Sequence, residues 1–212
     1  MSDTATKSTK PEIHAAGQRG PVDHERRAQI LETAHGYFKS YGYAKTTVGD
    51  IAKALNMSPA YVYKFFESKQ AIGEAVVREA LSALTGELDQ IAATAKPAAT
   101  RLRQVYRTVA ERTTSMCFND RKMFDLGVIA CEEKWQVITD YQGYLFDLIR
   151  GIVTNGREGA EFERKTPIAE TTAAIQMTLE MFARPVLLEQ NLDDPVGRAE
   201  NMANLVLRSL AP

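Results

Sequence analysis

The amino-acid sequence predicts an all-α protein of about nine helices in two domains. Three observations lead there. Apolar residues recur at spacings of three and four through most of the chain. No run of alternating β-branched residues reads as a strand. Ser, Thr or Asp precedes many of the periodic segments, and Gly, Asn or Pro follows them. The 212 residues are 44% hydrophobic and 25% charged, a globular composition that excludes a disordered or collagen-like chain. No apolar run approaches the ~18 residues needed to cross a bilayer. The first ten residues lack the apolar segment of a secretory signal. A cytoplasmic protein without a membrane partner is therefore expected. Cys117 and Cys131 are too few to staple a fold or to build a four-cysteine zinc site.

Residues 1–23, rich in Ser, Thr, Lys, Pro, Gly and Ala, read as a flexible tail. Residues 24–70 form a first domain of short helices, and residues 71–212 a second of longer ones. The first helix runs from about Glu25 to Tyr41, with Ile30, Ala34, Tyr37, Phe38 and Tyr41 on one face and Gly42 as its left-handed cap. Thr47 caps a second helix, with Asp50 as the acidic half of a capping-box pair. Asn56 and Met57 break it. Ser58 caps a third helix whose first turn accepts Pro59. Ser68 opens a long fourth helix, to about Ala93. The remaining helices are expected over 98–116, 121–130, 133–155, 167–190 and 195–210. Thr166-Pro167 and Asp194-Pro195 each read as a cap followed by proline, and Pro185 should kink the eighth helix.

Formal net charge is −1, so the whole chain is not built for a polyanion. Residues 24–70 nevertheless carry seven basic and four acidic groups, against 16 and 19 in residues 76–212. Random scatter of surface charge would give the same modest asymmetry.

Val48 to Phe65 meets the steric demands of a helix-turn-helix. Ala52 is small where two helices must cross, Asn56 tolerates positive φ in the turn, and Met57, Val62 and Phe65 supply apolar plugs beside Ile51 and Leu55. An ordinary αα-corner satisfies the same pattern. The residues left facing outward decide between them. Ser58, Pro59, Ala60, Tyr61, Tyr63 and Lys64 offer small groups, two tyrosines and a lysine, with no acid before Glu67. Small residues let a helix sink into a major groove, and tyrosine offers a hydroxyl to phosphate or base edges.

Residues 26–72 resemble the N-terminal DNA-binding domain of the tetracycline-repressor-like (TetR) family of bacterial regulators. The resemblance rests on Ile30-Leu31, Ala34 and Phe38, the Gly42 turn, Thr46-Thr47-Val48, Asp50-Ile51-Ala52, Ser58, Tyr63, Phe66 and Ser68-Lys69. It extends weakly to residues 156–179. It implies a two-domain helical transcription regulator, most often a repressor, that dimerises through its C-terminal domain and reads a palindromic operator in double-stranded DNA. A small-molecule effector in that domain changes the spacing of the reading heads. By the same resemblance Thr47, Tyr63, Lys64 and Lys69 correspond to phosphate contacts, and Pro59, Ala60 and Tyr61 to positions facing bases. Thr46, Val48 and Ser58 complete the DNA-facing candidates. Ala60, where glycine is frequent, Phe65, where many members carry histidine, and Tyr61, usually smaller, depart from the family pattern and put the operator sequence out of reach.

A dimer surface is sought in the eighth and ninth expected helices. The eighth carries one stripe of Ile168, Thr172, Ile175, Leu179, Phe182 and Val186, and a second of Ala174, Met177, Met181, Pro185 and Leu188. Two stripes suggest burial on both sides, and Met202, Leu205 and Val206 extend the surface on the last helix. A fully buried central helix in a monomer is the alternative. Candidate effector contacts are Arg103, Met116, Phe118, Met123, Phe124, Trp135, Tyr141, Tyr144 and Met177, bulky and adaptable groups that equally suit plain core. No cofactor is expected, and three scattered histidines make no metal site. No glycine-rich phosphate loop, nucleophile elbow or Cys–His pair argues for an enzyme. The competing reading is an effector-independent DNA-binding or adaptor protein with a filled C-terminal core.

Overall fold

The computed structural model describes residues 21–212. The expected tail at 1–23 lies almost wholly outside the described residues. Its last three, together with His24, belong to the first helix. Among the described residues there are ten helices and no strand: α1 (Pro21–Tyr41), α2 (Val48–Ala54), α3 (Pro59–Val62), α4 (Lys69–Ala93), α5 (Ala98–Phe118), α6 (Arg121–Glu132), α7 (Gln136–Glu158), α8 (Ile168–Ala183), α9 (Pro185–Glu189) and α10 (Pro195–Ser209).

Three helices end in the same way. A residue at positive φ comes after the C-cap, and the next N–H reaches back to the carbonyl of the helix's last full turn. After α2 the residue is Asn56 (φ 52°), and Met57 N–H donates to Ala52 O at 2.9 Å. After α6 it is Lys134 (φ 52°), with Trp135 N–H on Ala130 O at 3.0 Å. After α7 it is Ala160 (φ 58°), with Glu161 N–H on Gly156 O at 2.8 Å. The left-handed Lys134 is why α7 starts at Gln136 and not at Glu133. Gly42 (φ 88°) closes α1 as expected.

The expected eighth helix is two helices. Proline at 185 lacks the N–H that would continue α8, and Arg184 turns extended (φ −103°, ψ 124°), so α9 starts afresh with Pro185 in its first turn. Asp194 caps α10 as expected, its carboxylate accepting from Gly197 N–H. Thr166 does not cap α8. Pro167 holds that position without a side-chain bond, and Thr166 N–H donates instead to Glu163 Oε2 at 3.1 Å.

Two apolar cores result. The first joins Ile30, Ala34 and Phe38 of α1 to Ile51 and Ala52 of α2, Val62 of α3, and Ile72 and Val76 of α4. It also takes in Leu126 and Ala130 of α6, Trp135 just before α7, and Val137 within it. The second gathers Leu84 and Leu88 of α4 with the inner faces of α5, α7, α8 and α10. α4 and α7 therefore serve both cores. The cores interlock across the expected boundary at residue 71.

Candidate nucleic-acid interface and cavity

The capping box at the start of α2 is complete. Asp50 N–H donates to Thr47 Oγ1 at 3.1 Å, while Thr47 N–H and Oγ1–H donate to Asp50 Oδ2 at 2.8 and 2.6 Å. These bonds hold the Asp50 carboxyl below the usual aspartate range, the Thr47 hydroxyl contributing most. Ser58 Oγ accepts from Tyr61 N–H at 3.2 Å and sets the start of α3. α3 is only one turn, then tightens, Phe65 N–H bonding Val62 O at 2.9 Å. This tightening turns Phe66, 4% exposed, into the core, while Phe65, the plug the sequence pattern named, packs against that core. Phe65 is half-buried and meets Tyr61 edge to face, ring centroids 5.4 Å apart.

The two short helices thus display Thr47, Ser58, Pro59, Ala60, Tyr63 and Lys64 near or at the surface, with Tyr61 half-buried beside them. Tyr63 is 50% exposed. Lys64 Nζ lies over the Tyr61 ring at 5.4 Å. Exposed Lys45, before α2, adds a cation that the sequence pattern did not single out. Two candidates fall away. Thr46 is 1% exposed and its hydroxyl donates to Gly42 O at 2.9 Å; Val48 is 6% exposed and packs in the first core. Neither side chain can reach a ligand without unfolding the α1–α2 turn. Lys69 is half-buried: Nζ donates to Tyr43 O at 3.1 Å and sits 4.3 Å over that ring. Its first task is to pin the start of α4 to the turn after α1.

A largely apolar cavity of about 90 Å³ lies between α4, α5, α6, α7 and α8. Of the nine effector candidates, Met116, Met123 and Tyr141 line it. The other six do not. Arg103 is exposed and donates to Asn204 at 3.1 Å. Phe118 and Phe124 pack on each other. Trp135 fills the first core, its indole N–H on Glu133 at 2.7 Å. Tyr144 donates toward Thr85 O and Asp89. Met177 is 71% exposed. The cavity wall also holds Cys131, Gln142, Glu180 and Arg184, which a search for bulky residues misses. A usable signal was present: Thr113, Met116 and Cys117, then Met123, Gly127 and Cys131, place small and flexible groups at helical spacing on neighbouring helices. Burial pushes the Cys117 thiol up to about 12, so it is protonated and a poor nucleophile at neutral pH. Among the described residues no cluster of His, Cys, Asp or Glu is arranged to hold a metal.

Residues 30–76 match the family model of the bacterial regulatory proteins of the tetR family, and residues 98–202 match a tetracyclin repressor-like C-terminal domain. The chain belongs to the tetR family of transcriptional regulators. Its N-terminal region is 41% identical over 54 residues to the HTH-type transcriptional repressor Rv1474c of Mycobacterium tuberculosis. That match spans 26% of this chain and only 29% of the relative. A tetR-family regulator from Pectobacterium atrosepticum superposes with a TM-score of 0.68 at 19% identity, covering 91% of this chain and 98% of the other. FadR of Bacillus subtilis in complex with stearoyl-CoA gives 0.63 at 18% identity over 86% and 98%. RolR in complex with resorcinol gives 0.64 at 16% identity over 91% of each. At such identities the likeness is one of fold. One fold thus carries a long acyl thioester in one protein and a single phenolic ring in another. The fold alone does not choose a ligand.

Proposed function

We propose that this tetR-family regulator is a homodimeric repressor that reads a palindromic operator with α2 and α3 and releases it when a small molecule enters the cavity. The observation that carries the DNA-binding part is the outer surface of Thr47, Ser58, Pro59, Ala60, Tyr63 and Lys64 on two short, capped helices, whose one acid, Asp50, is engaged by the Thr47 cap. Thr47, Tyr63 and Lys64 serve phosphates, and Pro59, Ala60 and Tyr61 face bases. Lys69 contributes mainly by positioning α4. A single such head reads few base pairs, and a dimer places two of them about 34 Å apart on successive turns of one groove face.

The dimer surface is what the cores leave over. Pro185, Leu188 and Val206 are buried within the protomer, so they drop out of the interface. Ala174 and Met177 of α8 and Leu205 of α10 remain exposed, with Met181 and Met202 half-buried. Val186, 40% exposed, widens the patch from α9.

Coupling runs through α6 as well as α4. Met123, Leu126 and Cys131 of α6 line the cavity, while Leu126 and Ala130 also belong to the first core. Lys122 Nζ donates to Ser40 O at the end of α1. A ligand that displaces α6 therefore moves groups on which the reading head rests, and each ligand weakens the other by one common factor. The small cavity volume favours the effector-independent alternative, and operator affinity that ignores every cavity ligand would establish it.

The test is selection of bound duplexes from a random pool. Recovery of an inverted repeat with half-site centres about 10 base pairs apart, or a multiple of that, supports the reading. Tyr61→Ala is expected to change the preferred half-site, while binding that shows no sequence preference at all sinks the proposal.

A further inference from the structure

The Tyr141 hydroxyl is shielded from solvent and has no hydrogen-bond partner among the described residues. Its side chain forms part of the cavity wall. Buried hydroxyls are ordinarily paired, so an orphan beside a cavity is an unmet demand for a polar group. The rest of the wall is almost wholly apolar. Its only charged groups, Glu180 and Arg184, form a loose, partly exposed pair 3.9 Å apart. An anionic ligand would have to displace Glu180 from Arg184 to find a partner. The volume, about 90 Å³, is below the ~150 Å³ of an engineered cavity that accepts benzene. It is far below the roughly 300 Å³ at which drug-sized sites begin. Met116 and Met123 are unbranched, and rotation of their side chains is the cheapest way to enlarge the space. A guest that pairs with the sealed Tyr141 hydroxyl must gain access to it by the same enlargement.

We infer that the effector is a neutral, single-ring-sized apolar molecule bearing one hydroxyl or carbonyl group, and that Tyr141 is the residue that recognises this group. The inference rests on the effector part of the proposed function and narrows it. It excludes long acyl chains and carboxylates. Recognition is by hydrogen bonding alone, because the Cys117 thiol nearby is held protonated.

The test compares p-cresol, toluene and 4-methylbenzoate by calorimetry on the full chain, with operator affinity followed separately. p-Cresol is expected to bind about five- to tenfold more tightly than toluene, the worth of one neutral buried hydrogen bond. 4-Methylbenzoate is expected not to bind. In Tyr141→Phe the preference for p-cresol over toluene should vanish while toluene affinity is kept. That variant should melt no lower than the wild type, since it removes an unpaired hydroxyl. Equal affinities for p-cresol and toluene in the wild type overturn the inference without recourse to any variant. So does tighter binding of the carboxylate, or no binding of either neutral ring. Tyr141-dependent binding of p-cresol that leaves operator affinity unchanged upholds the ligand class and refutes effector release instead.

Discussion

Replacing Gly73 by alanine tests whether Trp135, from the segment just before α7, is seated on α4 in the first core. A Cβ at Gly73 would stand 2.8 and 2.9 Å from the Trp135 ring and 3.0 Å from Tyr43. Neither ring can retreat easily. Trp135 is 1% exposed, meets Tyr43 edge to face at 5.3 Å and is tied to Glu133; Tyr43 lies between Phe38, Trp135 and the Lys69 ammonium. Overpacking of this kind costs about 1–3 kcal/mol. Alanine returns about 0.8–1 kcal/mol in helix propensity, so the net loss is about 0–2 kcal/mol. Gly86, exposed on the same α4 with nothing within 4 Å of its would-be Cβ, supplies the control. Gly86→Ala gains the propensity contribution alone. The two variants should therefore melt on opposite sides of the wild type, or at least be separated by the overpacking cost. At roughly 2–4 °C per kcal/mol for a chain of this size, that is a gap of about 2–12 °C. Thermal unfolding followed by circular dichroism, at one protein concentration because an oligomer's midpoint depends on it, measures the gap. If Gly73→Ala rises in step with Gly86→Ala, Trp135 is not seated on α4 and its place in the first core is wrong.

Lys64→Ala should weaken binding to all duplexes and flatten the dependence of log affinity on log salt by about one unit; an unchanged slope removes Lys64 from the phosphate contacts. Asp50→Ala should melt below the wild type at neutral pH. Because hydrogen bonds depress the Asp50 pKa in the folded state, its stabilisation is complete above the unfolded value near 3.8 and disappears as pH falls through the lower folded value. A melting difference that persists well into acid would show that the carboxylate is not what secures α2. Met177→Glu, on a side chain 71% exposed, should leave the fold intact and give monomers by light scattering. A dimer that survives at low micromolar concentration would move the interface away from α8.

Local chemistry made the reading head legible. Thr47 with Asp50, Asn56, Ser58 with Pro59, and Ser68 each satisfy a backbone demand that few residue types can meet, so their spacing alone announces two short helices and the turn between them. The same logic failed at the ends of α6 and α7, where the chain makes the identical left-handed turn with Lys134 and Ala160. Those residues carry no preference for positive φ. Besides the backbone bonds that close the turns, the burial of their downstream neighbours, Trp135 in the first core and Phe162 in the second, holds them there. Pro185 was visible as a disturbance, and the extended Arg184 that ends α8 is the conformation proline favours in the residue before it.

The cavity lay deeper still, because a stripe of flexible apolar residues has the same periodicity whether it faces another helix or an empty space. Met123 and Phe124 are adjacent, both bulky and both apolar; one lines the cavity and the other packs on Phe118. The difference is a rotation of about 100° around α6, which the packing of α6 against α1 and α5 fixes. That same packing carries Lys122 onto Ser40 and Leu126 into the first core. The rotation that decides which side chains a guest meets is therefore also the one through which the guest can be felt by α1, and from there by α2 and α3. Substitutions at the α1–α6 contact should change ligand response and operator affinity together, whereas those confined to the outer face of α3 should change operator affinity alone.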